Sequence, residues 1–479
     1  MSEVIKPDIC VIGGGSGGLV VASAAAAFGV SVVLIEKHKM GGDCLNYGCV
    51  PSKAIIAAGK HAQSMREAPA FGVSTGKEDS EPKVNFKQVH DHVKGVIAGI
   101  APMDSVERFE SLGVNVIEAE GRFIDKKTVV AGDKTIKARR YVIATGSAAF
   151  VPPIPGLDKI DYLTNETLFD QTKNPGRMIV IGGGPIGMEM AQAHQRLGAK
   201  VTVIEGEKAL GKDDPELTAI VLDKIRSEGV VIREKAKVTS VDKMLKGGAL
   251  VHVETEDGSE TLEADTVLIA TGRAATVDGL DLEKAGIDYT RRGIKVSDKM
   301  RTSNNRVYAI GDVTGGLQFT HVAGYHAGLL IRSILFRLPA KENTHVIPWS
   351  TYTDPEIAHI GHTEQSAREK FKDITVLRWP YAENDRAQAE NKTTGLIKII
   401  TRKNGTIEGV SIAGTMAGEM MNMWSLAISQ KMKVKDIAGY IPPYPTMTEI
   451  GKRAATSFYA PTTKKPLVRG VVNFLRKFG

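Results

Sequence analysis

Two cysteines stand close together in a Gly-rich segment, and they are the first residues whose spacing suggests chemistry. Cys44 and Cys49 belong to the run Gly41–Lys53, which reads GGDCLNYGCVPSK. On a regular helix a five-residue offset does not place two side chains over one another, so a disulfide here requires a distorted segment. Buried free thiols and a metal site are the alternatives. The sequence shows no second Cys pair and no His cluster with ligand spacing, so no metal site is expected.

A Gly-rich turn near the start of the chain has the spacing of a dinucleotide site. Ile9–Ile12 suits a buried parallel strand, and Gly13, Gly15 and Gly18 then form Gly-x-Gly-x-x-Gly before an Ala-rich helix. The first glycine allows a tight turn, the second lets a pyrophosphate approach the backbone, and the third lets the helix pack on the strand. The helix N-terminus favours the phosphates, and Glu36 can accept hydrogen bonds from a ribose.

The same arrangement recurs later in the chain. Gly182, Gly184 and Gly187 follow a second apolar run, and Glu205 ends the next one. The outer glycines and the acid each lie 169 positions after their counterparts, which indicates an internal duplication. A carboxylate at position 205 favours NADH over NADPH, because it binds a free 2′-hydroxyl and repels a 2′-phosphate. NADPH stays an alternative, because Lys208 and Lys212 lie near enough in sequence to reach a phosphate.

Each copy also ends in a strand and turn of similar sequence, which close at Gly146 and Gly272. Two dinucleotide sites on one chain imply two dinucleotides. The usual reason is electron relay between an exchanging nicotinamide and a permanently bound flavin. In that setting a redox-active dithiol is the favoured interpretation of Cys44 and Cys49.

Composition sets the broad class. The 479 residues suggest about three domains, and 42% hydrophobic and 24% charged residues exclude a disordered or fibrous chain. Only three cysteines occur, which excludes a secreted disulfide scaffold and favours a reducing compartment. Cys10 lies within the first strand and is expected to be inert core. The N-terminus does not resemble a signal peptide, and no apolar run reaches about 18 residues, so a cytoplasmic location is expected.

The remaining segments are assigned coarsely. Residues 60–125 are predicted to be mainly helical, with an irregular stretch at Ser74–Lys83. A strand is predicted at Val307–Ile310, and a helix from near His321 to Phe336. From Pro348 to about residue 460 no nucleotide motif occurs, and mixed helical and β-rich segments predict an α+β domain.

The cysteine segment resembles the redox motif of the flavoprotein pyridine nucleotide-disulfide oxidoreductases, such as dihydrolipoamide dehydrogenase, glutathione reductase and mercuric reductase. The resemblance reaches about residue 460 and includes both Gly-rich turns. It also includes the short motifs Ala270–Arg273, Ala309–Asp312, Tyr352–Glu356 and Tyr444–Glu449. It implies a class I, FAD-dependent NAD(P)H oxidoreductase that works as a homodimer.

The fold implied by this resemblance is α/β, with two Rossmann-type dinucleotide-binding domains and a C-terminal α+β dimerisation domain. The expected boundaries are 1–150 with 274–345 for FAD, 151–273 for NAD(P)H, 346–460 for dimerisation and 461–479 for a tail.

The family roles carry over to matching residues. The resemblance implies that Cys49 lies next to the flavin as the charge-transfer thiolate and that Cys44 is the interchange thiol facing the substrate. Lys53 and Glu189 match the family ion pair beside flavin and nicotinamide.

Two further matches concern the flavin. Asp312 matches the acid that binds the ribityl chain. The helix beginning near His321 is expected to direct its positive end at the flavin pyrimidine.

One position departs from the usual family pattern. The family has His-Pro-Thr-x-x-Glu near its C-terminus, whereas this chain has Tyr444 ahead of Pro445, Thr446 and Glu449. A tyrosine with a pKa of about 10 is a poor general base at neutral pH compared with a histidine at about 6.5. Slow turnover of lipoamide or glutathione disulfide is therefore expected. Tyrosine here resembles mercuric reductase, but this chain has no cysteine after Cys49 to deliver a metal.

Two functional hypotheses follow. The first is a reductase whose dithiol passes electrons to a metal ion, a quinone or another small acceptor that needs little proton relay. The second is a slow flavin and dithiol redox sensor or binding module. The nucleotide turns, Lys53 and Glu189 are all present, which favours the reductase.

The tail carries much of the basic charge. Residues 464–479 hold five basic and no acidic residues, so the net charge of +7 falls to +2 for residues 1–463. No nucleic-acid partner is therefore expected. On a helical projection the apolar residues of the tail share one side, which suits either a helix docked on the dimer or one lying on an anionic membrane.

Overall fold

The computed structural model describes residues 3–74 and 81–478. They form two compact units: one comprises residues up to Gly206 with Val231–Glu342, and the other comprises Glu207–Val230 with the residues from Asn343 onward. Most of the predicted irregular stretch Ser74–Lys83 lies outside the described residues. The division into three domains stays a prediction.

The strands in chain order are short. They are β1 Glu3–Ile5, β2 Ile9–Ile12, β3 Val32–Glu36, β4 Val114–Glu118, β5 Gly121–Asp125, β6 Thr128–Ala131, β7 Lys134–Ile136, β8 Arg140–Ile143, β9 Ser147–Ala149, β10 Arg177–Ile181, β11 Lys200–Ile204, β12 Val231–Arg233, β13 Lys237–Lys243, β14 Ala249–Thr255, β15 Gly258–Ala264, β16 Thr266–Ile269, β17 Arg273–Ala275, β18 Tyr289–Thr290, β19 Gly293–Ile294, β20 Val307–Ala309, β21 Trp349–Thr351, β22 Glu356–Gly361, β23 Ile374–Pro380, β24 Leu396–Arg402 and β25 Ile407–Gly414.

The helices in chain order alternate with these strands. They are α1 Ser16–Ala27, α2 Gly42–Asn46, α3 Cys49–Glu67, α4 Phe86–Ile100, α5 Val106–Ser111, α6 Asn165–Leu168, α7 Pro185–Arg196, α8 Pro215–Ser227, α9 Thr320–Ile334, α10 Glu364–Lys370, α11 Asp385–Ala389, α12 Ala417–Ser429, α13 Val434–Gly439, α14 Glu449–Ser457, α15 Ala460–Thr463 and α16 Pro466–Leu475.

Two parallel sheets in the first unit share one topology. Their strand orders are β20-β8-β2-β3-β4 and β16-β10-β11-β12, so four strands of the first sheet have counterparts in the second. The register is also shared, because Ile9 pairs with Val32 and Met178 pairs with Val201. Each residue of the second pair lies 169 positions after its counterpart in the first pair. The backbone therefore confirms the duplication and the α/β class.

The helical prediction for residues 60–125 is wrong at its C-terminal end. Residues up to Glu67 and those in α4 and α5 are helical, but Val114–Glu118 and Gly121–Asp125 are strands. Val114 and Val116 pair in parallel with β3, and Phe123 is fully buried against Tyr141. Pairing with the edge of an existing sheet outweighs local helix preference here.

The second unit contains an antiparallel sheet of order β21-β22-β25-β24-β23, against which α8, α12 and α14 pack. Lys398 of β24 is 4% exposed, and its ammonium lies 2.8 Å from Asp214 and from Glu364 and 3.0 Å from Glu216. A buried lysine is tolerated only when it is paired, so these carboxylates hold the start of α8 and of α10 on the sheet.

No helix within residues 3–74 and 81–478 is long and apolar enough to cross a bilayer.

Candidate redox active site

The first Gly-rich turn has the geometry expected of a dinucleotide cradle. Gly13 has φ +112°, and a Cβ there would lie 2.4 Å from the Ala144 carbonyl oxygen. At Gly18 a Cβ would lie 1.9 Å from the Gly13 oxygen. The helix can therefore approach the strand this closely only because residue 18 is glycine. At Gly15 a Cβ would meet nothing nearer than 3.8 Å, so the backbone is open to a ligand. Glu36 accepts a 2.6 Å hydrogen bond from the Gly14 N–H.

The second turn reproduces this geometry closely. Gly182 also has φ +112°, and a Cβ at Gly187 would lie 2.0 Å from the Gly182 oxygen. A Cβ at Gly184 would meet nothing within 4 Å. Glu205 accepts a hydrogen bond from the Gly183 N–H at 2.7 Å. Both turns thus combine an open glycine, a helix N-terminus and an acid, and the residues fit two dinucleotides.

The strand-end turns add polar groups to the first unit. Gly146 and Gly272 both have positive φ, +68° and +124°. Asp312 is half-buried, and burial raises the pKa of its carboxyl group. The Ser147 hydroxyl donates to Asp312 at 2.6 Å. A carboxylate that is partly removed from water, with a fixed hydroxyl partner, suits the polyol contact expected from the resemblance.

Two glycines fasten the cysteine segment to the first turn. The Gly41 N–H donates to the Gly14 oxygen at 2.9 Å, and Gly41 and Gly42 have φ +86° and +59°. A Cβ on Gly42 would lie 2.7 Å from the Gly15 Cα. The segment that carries the thiols therefore lies against the glycine at which a pyrophosphate is expected.

The predicted distortion between the thiols is confirmed. Cys44 belongs to the short helix α2, and Cys49 begins α3. The helical conformation is interrupted between them, at Tyr47 and Gly48. A Cβ on Gly48 would lie 2.7 Å from an Asp43 side-chain oxygen, so the break is compact. Leaving helical geometry lets the two sulfurs come into hydrogen-bond contact.

The two thiols differ in acidity. The hydrogen bond from Cys44 lowers the pKa of Cys49 to about 6, helped by the Thr320 hydroxyl and by the charge of Lys53. The Thr320 Oγ1 lies 3.3 Å from the Cys49 Sγ. The same contact with Cys49, together with burial, raises the pKa of Cys44. At neutral pH the pair consequently holds one thiolate, on Cys49, and one proton, on Cys44.

Helix α9 begins where it can support that thiolate. It starts at Thr320, one residue before the predicted start, and ends at Ile334. The positive end of a helix dipole stabilises a nearby thiolate. His321 itself is exposed and stacks on Phe319, with ring centroids 5.3 Å apart.

Lys53 and Glu189 form the predicted pair. The Lys53 ammonium donates to a Glu189 oxygen at 2.8 Å, and the Glu189 side chain is 6% exposed. The two residues lie on α3 and α7, which pack closely because a Cβ on Gly59 would already sit 3.2 Å from the Ala193 backbone. The ion pair therefore depends on a glycine that lies six residues after Lys53 on α3.

A polar network that the sequence analysis missed joins the cysteine segment to Asp312. Arg273 Nη2 lies 3.1 Å from Asp43, and Arg273 Nε donates to the Ser147 Oγ at 2.7 Å. Asn165 donates to the same Asp43 oxygen at 2.9 Å. Arg273 closes one of the motifs used for the resemblance and could have been singled out. Asn165 has no local signal, because only the fold brings it to Asp43.

In the second unit, Tyr444 lies beside the polar run of α11. Its side chain is 70% exposed, and its hydroxyl donates to Asp385 at 3.0 Å. That hydrogen bond raises the pKa of Tyr444, so the phenol stays protonated at neutral pH. Glu449 begins α14 and accepts from the Thr446 N–H at 3.4 Å.

Cys10 is fully buried in β2, as predicted, and burial raises the pKa of its thiol. A protonated, inaccessible thiol does not react, so only Cys44 and Cys49 are available for exchange.

Two dinucleotide cradles joined to an asymmetric thiol pair define a flavin- and nicotinamide-dependent oxidoreductase. The chain matches the pyridine nucleotide-disulphide oxidoreductase family over residues 7–327 and the dimerisation domain of that family over residues 347–455. It belongs to that family, as a class I member that depends on FAD and uses NAD(P)H. The dimerisation domain supports the predicted homodimer.

Similar proteins cover nearly the whole chain. Mercuric reductase of Bacillus cereus is 34% identical over 456 residues, which span 94% of this chain and 71% of the relative. Dihydrolipoyl dehydrogenase of Bacillus subtilis is 34% identical over 464 residues, or 94% and 96% of the two chains. The HOCl-induced flavoprotein disulfide reductase RclA of Escherichia coli, solved as a Cu(II) complex, superposes with a TM-score of 0.83 at 26% identity, covering 94% and 99%.

Proposed function

We propose that this enzyme passes electrons from NADH, through FAD and the Cys44–Cys49 pair, to a metal ion or another small acceptor that needs little proton relay. The observation that carries the proposal is the thiol pair itself, with Cys49 acidified beside Thr320 and Lys53. Bound FAD supplies hydride acceptance from the nicotinamide and two-electron reduction of a disulfide.

The residues of the chain would bind the two cofactors and stabilise the negative charges. Gly13, Gly15, Gly18 and Glu36 would hold FAD, and the equivalent residues 182, 184, 187 and 205 would hold NADH. Asp312 would bind the polyol of FAD, and the start of α9 at Thr320 and His321 would favour negative charge. Lys53, held by Glu189, keeps a positive charge near Cys49, which favours the thiolate, the form that takes part in thiol exchange.

The thiol chemistry balances without a base on the acceptor side. At neutral pH the reduced pair, one thiolate and one thiol, gives up two electrons and one proton as its S–S bond forms, and the acceptor takes the electrons. One two-electron metal ion or two one-electron ions suffice, and the proton passes to water. NADH then restores the thiol and the thiolate and leaves NAD⁺.

The protonated state of the Tyr444 phenol favours a metal ion over a disulfide as the electron acceptor. A disulfide substrate needs a proton for its leaving thiolate, and the reverse exchange needs a base. Tyr444 is a neutral phenol bonded to Asp385, so it cannot accept a proton at neutral pH. Relatives named mercuric reductase, and a Cu(II) complex of a structural neighbour, accord with a metal-ion substrate.

The test is anaerobic NADH oxidation with lipoamide, glutathione disulfide, Hg(II), Cu(II) and a soluble quinone as acceptors. Turnover is expected with the metal ions or the quinone and is expected to collapse in Cys44→Ala and Cys49→Ala. Cys10→Ala is the matched control and should retain turnover. Full turnover in Cys44→Ala, or reduction by NADH that no acceptor reverses, would overturn the reductase and favour a redox sensor.

We also propose that the C-terminal helix contacts an anionic membrane surface. Helix α16 leaves its apolar side chains exposed on this chain, with Leu467 at 80% and Phe478, just beyond the helix, at 73%. The basic residues of the tail complement anionic headgroups. Co-sedimentation with phosphatidylglycerol vesicles should pellet the full chain and not a chain ending at residue 463. Equal pelleting would leave a helix docked on the dimer.

A further inference from the structure

Three metal-ligating side chains meet in the second unit, far apart in sequence. His345 lies in a short 3₁₀ turn at residues 344–346, His362 follows β22, and Glu408 lies near the start of β25. One ligand atom from each lies within 4.8 Å of the other two. Their separations of 17 and 46 residues do not match a metal-ligand spacing that could be recognised in the sequence.

The backbone fixes two of these ligands side by side. The His362 N–H donates to the Glu408 carbonyl oxygen at 2.8 Å. A Cβ on Gly409 would lie 1.9 Å from the His362 oxygen, and one on Gly361 would lie 2.4 Å from the Glu408 oxygen. Only glycines allow the strands to approach this closely, and the approach places the imidazole and the carboxylate on adjoining positions.

The third ligand reaches the other two through its ring. The His345 and His362 ring centroids are 4.8 Å apart, at an interplanar angle of 42°. Within the described residues the His345 ring makes no hydrogen bond.

Two cationic side chains, Lys370 and Arg402, contact the proposed ligand atoms. The His362 Nδ1 lies 3.2 Å from the Ser366 hydroxyl, a partner that orients the ring, and the His362 Nε2 lies 3.1 Å from the Lys370 ammonium. Arg402 contacts one Glu408 oxygen at 2.6 Å, which leaves the other oxygen for a ligand bond. The Lys370 ammonium also lies over the Phe371 ring, 5.4 Å from its centre.

We propose that His345, His362 and Glu408 form a binding site for a divalent transition-metal ion of the Zn²⁺ and Cu²⁺ class. Two imidazoles and one carboxylate suit these ions and leave a fourth position for water. Zn–N bonds of about 2.0–2.1 Å require the ligands to close by about 1 Å, which side-chain rotation supplies. The ion takes the place of the Lys370 ammonium and pins the turn at residues 344–346 to the sheet.

The test measures Zn²⁺ binding to the FAD-loaded full chain, because Zn²⁺ is inert to reduction. It uses a Cys44→Ser and Cys49→Ser background, which removes these two thiols as competing ligands. Equilibrium dialysis with metal analysis is expected to give about one Zn²⁺ per chain. His345→Ala and His362→Ala should each weaken binding at least about tenfold. His252→Gln is the matched control, since His252 contacts Asp242 at 2.9 Å without a second histidine.

A second variant and a second readout keep the proposal open to refutation. Lys370→Met should strengthen Zn²⁺ binding several-fold, because it removes the cation that occupies the His362 Nε2. Zn²⁺ should also raise the melting temperature of the parent, and this shift should vanish in His345→Ala. Zn²⁺ binding that is absent, or that survives both His→Ala substitutions, would overturn the site, as would weaker binding in Lys370→Met.

Discussion

At the scale of single residues, the contrast between two thiols governs the chemistry. Cys49 receives a hydrogen bond from Cys44, lies 3.3 Å from the Thr320 hydroxyl and feels the charge of Lys53. Each contact favours the thiolate, and together they outweigh the burial that opposes it. Cys44 donates the hydrogen bond and is left protonated.

The pH dependence of alkylation tests this asymmetry. In the reduced enzyme, iodoacetamide should label Cys49 with a midpoint at about pH 6, because only the thiolate reacts and it is protonated below that pH. In Cys44→Ala the midpoint should rise, since the S–H donor is lost. Peptide mass mapping assigns the label, and Cys10→Ala should leave the midpoint unchanged. An unshifted midpoint in Cys44→Ala would contradict the assignment of the donor.

Restoring a base at position 444 should change acceptor preference. Tyr444→His replaces a protonated phenol with a group of pKa about 6.5, so turnover with lipoamide should rise about tenfold or more near pH 7.5. Reduction of Cu(II) or Hg(II) should change little. The control is Tyr459→His, on another partly exposed tyrosine of the second unit. Equal gains with both acceptor classes would show that Tyr444 does not limit proton transfer.

Glu205 should decide between the two nicotinamide cofactors. Its carboxylate is held by the Gly183 N–H and repels a 2′-phosphate. Glu205→Gln should therefore lower the NADH to NADPH ratio of kcat/KM by about tenfold, with the change mainly in KM for NADPH. The same substitution at Glu36, in the first turn, should leave this ratio unchanged. A ratio that is near one in the parent enzyme would refute the preference.

At the scale of elements, glycines determine how closely helices, strands and turns approach. The two nucleotide turns repeat the same contacts, and Gly59 lets α3 and α7 bring Lys53 to Glu189. The turns could be predicted because each motif is local and repeated. The Lys53 pair and the Arg273 network could not be derived from local pattern, since they depend on how separate elements pack.

Alanine at the third glycine of each turn should affect the binding of one cofactor and not the other. Gly18→Ala and Gly187→Ala each place a Cβ about 2 Å from a backbone oxygen, which forces helix and strand apart. The first should reduce the FAD content of purified protein, and the second should weaken NADH binding at least about tenfold while FAD is retained. Gly95→Ala is the control, because a Cβ there meets nothing within 4 Å. Loss of FAD in Gly187→Ala and not in Gly18→Ala would reverse the assignment of the two turns.

At the scale of the whole molecule, a duplicated fold supplies two dinucleotide sites and the cysteine segment follows the first. The 169-residue offset predicts from sequence that one strand–turn–helix–strand unit occurs twice, and the structure gives both copies the same register, with Ile9 opposite Val32 and Met178 opposite Val201. The strand at 114–118 was missed, because its partner is the edge of the parallel sheet at β3 and not a local repeat. The cluster of His345, His362 and Glu408 has no sequence signal, since the three ligands come from separate segments.

The most direct test of the account follows electrons from NADH to the thiols. Oxidised holoenzyme is mixed anaerobically with one equivalent of NADH, quenched with iodoacetamide and mapped by peptide mass spectrometry. The account predicts that Cys49 is unlabelled before NADH and labelled after it, because reduction frees its thiolate, while the buried Cys10 is unlabelled in both samples. Consumption of NADH without any gain of label at Cys49 would contradict the central claim.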